Sequence, residues 1–192
     1  WAIIRGERGT GITTFQMDEG MDTGPILLSA PMAIGAEETA GELAARLAPL
    51  GAAVLLETLA RLDTLKPTPQ RLADATLAPR LKRTDGYLDW EHPAVELVNL
   101  IRGCNPWPGA VARGPGGMLT FWRATALGTG RAPTPGSLGR PAGASDALAI
   151  ATADGWLCPV EVQPENRRAM SWADYLRGAR LARGASFTTP SM

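Results

Sequence analysis

Among its 192 residues the chain has two cysteines, one histidine and two lysines. Cys104 and Cys158 show neither a CxxC pair nor a Cys/His spacing, which excludes a disulfide framework and a thiolate zinc site and fits a reducing compartment. Cytoplasmic localisation is therefore expected. No cluster of His, Cys or Asp has ligand spacing, so no metal is implied. Uninterrupted apolar runs are only a few residues long, which predicts no membrane partner, and no basic-then-apolar N-terminus signals export. Net charge is lacking too. Nineteen basic residues balance nineteen acidic ones, 17 of the cations being Arg, so the total charge announces no nucleic-acid partner. Disorder is excluded by 45% hydrophobic against 20% charged residues. The length suits one domain or two small ones. The chain starts at Trp1 in mid-pattern, so residues are expected upstream.

The β-branched and apolar runs 11–16 and 25–34 flank the acidic segment Asp18-Glu19-Gly20-Met21-Asp22-Thr23-Gly24, a strand, loop, strand pattern. Thr39 and Glu42 form a capping box ahead of Leu43, Leu47, Leu50, Val54 and Leu62, which predicts a helix with one apolar face. Pro49 and Gly51 predict that it is split or kinked. From Leu65 periodicity fails and prolines accumulate, marking 65–85 as a linker between residues 1–64 and 86–192. Five of the six tryptophans lie beyond residue 85, where a second core is expected. There 93–103 reads as a helix with Ala94, Leu97, Val98 and Ile101 inward and Gly103 as its C-cap. Short strands at 110–113, 118–127, 136–138, 147–151 and 156–162 suggest a small barrel, with a long loop over 128–143. A last helix, 171–183, starts at a Ser171/Asp174 cap and lines up Arg177, Arg180 and Arg183.

Three carboxylates within five positions repel one another, and such a cluster can raise one pKa toward neutrality for proton transfer. From composition alone the plainer reading is a solvated hairpin turn. The run Gln16 to Leu27, however, resembles the acidic loop of the formyltetrahydrofolate-dependent formyltransferases. Leu88-Asp89-Trp90, then Ile101 to Ala110 with its Asn-Pro-Trp-Pro-Gly-Ala run, and Ala169 to Gly178 are similar in order and spacing to the methionyl-tRNA formyltransferases of that family. The resemblance implies the C-terminal part of a Rossmann-like α/β formyltransferase domain over 1–64, followed after the linker by an OB-like open β-barrel. It implies formyltetrahydrofolate as formyl donor, initiator methionyl-tRNA as acceptor and a monomer. Asp22 matches the family's essential Asp, while Asp18, Glu19, Gly20 and Met21 would line the pterin end of the folate pocket. The family's Asn-x-His and Ser-Leu-Leu-Pro runs are absent from this sequence. His92, beside Pro93, is read as a surface or capping residue.

Residues 1–90 carry nine Lys/Arg against twelve Asp/Glu, and 91–192 carry ten against seven. A basic second half fits contact with RNA phosphates, and Arg80, Lys82, Arg83, Arg167 and Arg168 are candidates for it, although each reads equally as a solvated charge. Trp107, Trp122, Trp156 and Trp172 read as core before base-stacking platforms. A formyltransferase acting on an amino sugar nucleotide and a catalytically silent RNA-binding module remain alternatives.

Overall fold

The computed structural model describes residues 1–128, 134–141, 148–179, 181 and 185–191. The chain forms two compact units, one of Ala2 and Glu7–Arg80 and the other of Trp1, Ile3–Gly6 and Leu81–Met192.

In the first unit, β1 (Gly9–Phe15) and β2 (Ile26–Ala33) pair as an antiparallel hairpin, Thr10 opposite Met32 and Thr14 opposite Leu28. Helix α1 (Ala40–Ala60) packs on it. Its start is the expected capping box: Thr39 Oγ1 accepts the Glu42 amide, and Glu42 accepts the Thr39 amide at 2.8 Å. Of the two outcomes expected at Pro49, the split does not occur. Pro49 lies inside one continuous helix on its exposed face, where water can bond the carbonyl that proline leaves unpaired. The buried stripe runs through Leu43, Val54 and Thr58 instead of ending at Leu62, which is exposed. Thr58 lies inward because its hydroxyl reaches both the Val54 carbonyl, at 2.7 Å, and Thr14 Oγ1, at 2.8 Å. Leu55, Leu56 and Leu59 are also exposed. The reading of no membrane-length segment needs correction. The 21-residue α1 contains an 18-residue stretch of mean hydropathy 1.5, long and apolar enough to cross a bilayer by length and composition alone, although Glu42, Arg46 and Glu57 interrupt its apolar runs.

The second unit is built on an antiparallel sheet of β3 (Ala110–Gly114), β4 (Gly117–Leu127), β7 (Trp156–Pro164), β6 (Ala149–Ala151) and β5 (Leu138–Gly139) in that order, with β8 (Met170–Ser171) on β7. All five expected strands are present, Ala147 of the fourth lying outside the described residues, and β8 is additional. Helix α2 (Ala94–Gly103) buries Ala94, Leu97 and Ile101 against the sheet. Gly103 is its last helical residue and not the cap beyond it; Ile4 lies so close that a Cβ on Gly103 would collide with its side chain. Helix α3 (Trp172–Ala179) begins at the expected cap, Ser171 Oγ accepting the Asp174 amide at 3.1 Å. Arg180 and Arg183 lie outside the described residues, as does much of the loop expected at 128–143.

The core of this unit holds Leu88, Ile101, Leu119, Ile150, Leu157 and Val162 around the aromatic group Trp90, Phe121, Trp172, Tyr175 and Phe187. Phe187 is brought in by the chain's end, where Thr188 pairs with Arg113 and Ser186 with Ser137. Trp156 and Trp172 are buried as expected, whereas Trp107 is 52% exposed and Trp122 half-buried with its indole N–H on Gln163 Oε1.

Candidate active site

The acidic loop closes the β1–β2 hairpin. Its base is the Gln16 amide on the Pro25 carbonyl at 2.9 Å, directly above the last strand pair, Phe15 and Ile26. Inside it Asp18 Oδ1 accepts the Gly20 amide at 3.0 Å and the Thr23 hydroxyl at 2.7 Å, an Asx turn that folds the loop on itself. Gly24 passes so near the Gln16 carbonyl oxygen that any Cβ there would collide with it. Asp22 lies at the tip in the left-handed region, φ 56°, a conformation that Asp tolerates better than most residues because its short polar side chain bonds locally. Asp18 is thus occupied within the loop. Among the described residues no group bonds the Asp22 carboxylate, and Glu19, Gly20 and Met21 are exposed, Met21 to 91%.

The segment read as a linker is divided. Residues 65–80 belong to the unit that carries the loop, because Thr68 pairs with Ile26 through two hydrogen bonds of 2.8 Å, extending the hairpin by a bridge. Two residues further on, the Gln70 side-chain amide donates to the carbonyls of Asp22, at 2.9 Å, and of Gly24, at 2.7 Å. Sequence reasoning missed both residues. A glutamine in a Pro-rich run carries no mark of a partner 48 positions away. Past this tether the chain turns through a short 3₁₀ turn, Leu72–Asp74, and with the loop encloses an open cavity of about 810 Å³ lined by Met21, Asp22, Thr23, Gln70 and Leu77 among others. That volume is in the range of small-molecule sites.

The basic candidates are all exposed. Arg80 ends the first unit; Lys82 and Arg83 belong to the second, at a 3₁₀ turn where the Lys82 amide donates to Asp85 Oδ2 at 2.6 Å. Arg167 and Arg168 lie on the turn from β7 to β8, which Asn166 enters at φ 58° and which the Gln163 side chain braces by donating to the Arg167 carbonyl at 2.8 Å. His92 is on the surface with Nδ1 at 3.5 Å from Asp89 Oδ2, in keeping with the role read for it. Among the described residues no group of three His, Cys, Asp or Glu is placed to hold a metal ion.

The family model described as formyl transferase matches residues 1–59, and that described as formyl transferase, C-terminal domain, matches 80–180. The chain is 43% identical to the methionyl-tRNA formyltransferase of Solibacter usitatus over 94% of its own length and 58% of that protein's. It is 41% identical to that of Myxococcus xanthus over 96% of the chain and 59% of the relative. It thus spans less than two thirds of the length of these curated relatives. Among solved structures, HypX from Aquifex aeolicus in complex with tetrahydrofolic acid superposes over the whole chain and 36% of HypX with a TM-score of 0.62 at 20% identity, a likeness of fold. The resemblance seen in the acidic loop and the Asn-Pro-Trp-Pro-Gly-Ala run is borne out along nearly the whole sequence. With the C-terminal-domain match alone covering more than half of its residues, the chain belongs to the formyl transferase family.

Proposed function

We propose that the protein carrying this chain transfers a formyl group from formyltetrahydrofolate to the α-amine of methionine on initiator tRNA. The observation that carries the reading is the loop at Asp22: an exposed carboxylate on a backbone fixed by an Asx turn, beside a cavity of about 810 Å³. Its walls suit a flat, partly apolar donor with polar edges, offering Met21, Ile26 and Leu77 together with Asp22, Thr23 and Gln70. In this reading the neutral amine attacks the formyl carbon, Asp22 takes the proton the nitrogen must lose, and that proton passes to the departing folate nitrogen. The oxyanion donor and proton relay are assigned to the family's Asn and His, which this sequence does not contain. Asp18 keeps the loop folded, while Glu19, Gly20 and Met21 are assigned to the pterin end of the donor.

Residues 1–64 are assigned to the C-terminal part of a Rossmann-like catalytic domain and 86–192 to an OB-like barrel that contacts tRNA. Arg80, Lys82, Arg83, Arg167 and Arg168 are the cations proposed to meet phosphates. Identity above 40% to methionyl-tRNA formyltransferases favours tRNA over an amino sugar nucleotide as acceptor. Purified full-length protein, given formyltetrahydrofolate and either charged initiator tRNA or an amino sugar nucleotide, is expected to formylate only the tRNA. Formylation of the sugar instead would replace the acceptor in this reading, and formylation of neither would remove the activity.

A further inference from the structure

We propose that Gln70 is a positioning residue for Asp22, so that the Pro-rich segment helps set the catalytic geometry in addition to connecting two units. This rests on the reading that Asp22 handles the proton. A primary amide has two N–H donors, and Gln70 uses both on the loop: one on the Asp22 carbonyl at 2.9 Å, the other on the Gly24 carbonyl at 2.7 Å. These carbonyls lie on either side of Thr23, whose hydroxyl is already tied to Asp18. The tip is therefore held from inside by Asp18 and from outside by Gln70. Asp22 sits at φ 56°, a left-handed conformation that Asp tolerates but populates less than the extended and helical regions, so contacts on both sides of the tip are what keep the loop in it. Gln70 itself is held in place by the Ile26–Thr68 pair two residues earlier, so the clamp starts from a fixed point of the hairpin.

Proton transfer requires placement within a few tenths of an ångström, which makes the clamp's effect readable in turnover. Gln70→Glu keeps the shape but replaces the donor nitrogen with a carboxylate oxygen facing two carbonyl oxygens, changing attraction into repulsion. In the full-length enzyme, Gln70→Glu is expected to lower kcat for methionyl-tRNA formylation by about ten- to a hundredfold with KM for the donor changed less than about threefold. Amide exchange at Gln16 and Ile26 should quicken. In an Asp22→Asn background the same substitution should cost less than about twofold, since the group it positions is gone. An equal loss in both backgrounds would make Gln70 a structural brace only and overturn the proposal, as would an unchanged kcat. If Gln70→Glu does not fold, Gln70→Ala, which removes the donors without adding charge, carries the same comparison. Wild-type turnover by Asp22→Asn alone would sink the reading of Asp22 itself, a result distinct from Gln70 failing while Asp22 matters.

Discussion

The Asp154 carboxylate accepts the amide of Ala94 at 2.9 Å and so caps a helix that begins 60 residues earlier. Pro93 precedes α2 and has no side-chain acceptor, so the first turn takes its cap from the turn after β6. The same oxygen lies 3.3 Å from the Thr152 hydroxyl, which holds it in position. Asp154→Ala should destabilise the C-terminal unit by about 1 kcal/mol and lower its melting temperature by a few degrees. Asp154→Asn, which keeps the acceptor oxygen and loses only its charge beside the helix N-terminus, should retain most of that stability. Calorimetry on the three proteins checks the order.

Asp22→Asn should reduce formylation by about two orders of magnitude or more while leaving the circular dichroism spectrum unchanged. Asparagine suits the test because it tolerates φ 56° as Asp does, so that the proton acceptor is removed without backbone strain. Asp22→Ala would confound the two effects.

What was legible in the sequence was local. The Thr39/Glu42 and Ser171/Asp174 caps and the inward face of α2 depend on neighbours three to seven positions apart, and the hairpin joins two strands separated only by the acidic loop; the structure has them all. What escaped depends on partners far along the chain. Asp154 on Ala94, Gln70 on Asp22, Phe187 in the aromatic core and Ile4 against Gly103 are all pairings that no periodicity announces. Which of the two outcomes expected at Pro49 holds was not legible for a related reason: a proline splits a helix most surely where its lost bond is buried, and the side that α1 turns outward is set by packing. At the candidate site the acidic loop was legible through its motif, and the Gln70 contacts on its tip were not.

Cys104 is fully buried, and burial, helped by the nearby negative charge of Asp85, pushes its thiol up to about 11. The folded protein therefore holds the thiol proton more tightly than the unfolded chain, whose value is 9.0. Below pH 9 both states are protonated and nothing is lost; between 9 and 11 the unfolded state ionises first, so stability falls as pH rises. Cys104→Ala should flatten that fall over this window in denaturant titrations, whatever its own cavity cost at neutral pH. At pH 8 a thiol reagent should label Cys104 only after unfolding, because the thiolate is the reactive form.

Arg167 and Arg168 project from a braced turn at the end of β7, where the Gln163 side chain joins the Arg167 carbonyl to the indole of Trp122. A turn so fixed presents two adjacent guanidiniums at little further entropic cost. If both meet tRNA phosphates, each contact releases counterions and contributes roughly 0.7–0.9 to the slope of log affinity against log salt. Replacing both with Ala in the full-length protein should then flatten that slope by about one to two units and weaken binding alike for initiator and elongator tRNAs, since phosphate contacts do not read sequence. Solvated arginines would leave the slope unchanged, because they release no ions on binding. The fold should tolerate the change, for both side chains are exposed and the brace uses a main-chain carbonyl that Ala retains. Fluorescence titrations over a series of salt concentrations, with circular dichroism as the control for folding, decide between the two, and a slope equal to that of the parent protein removes Arg167 and Arg168 from the RNA-facing surface.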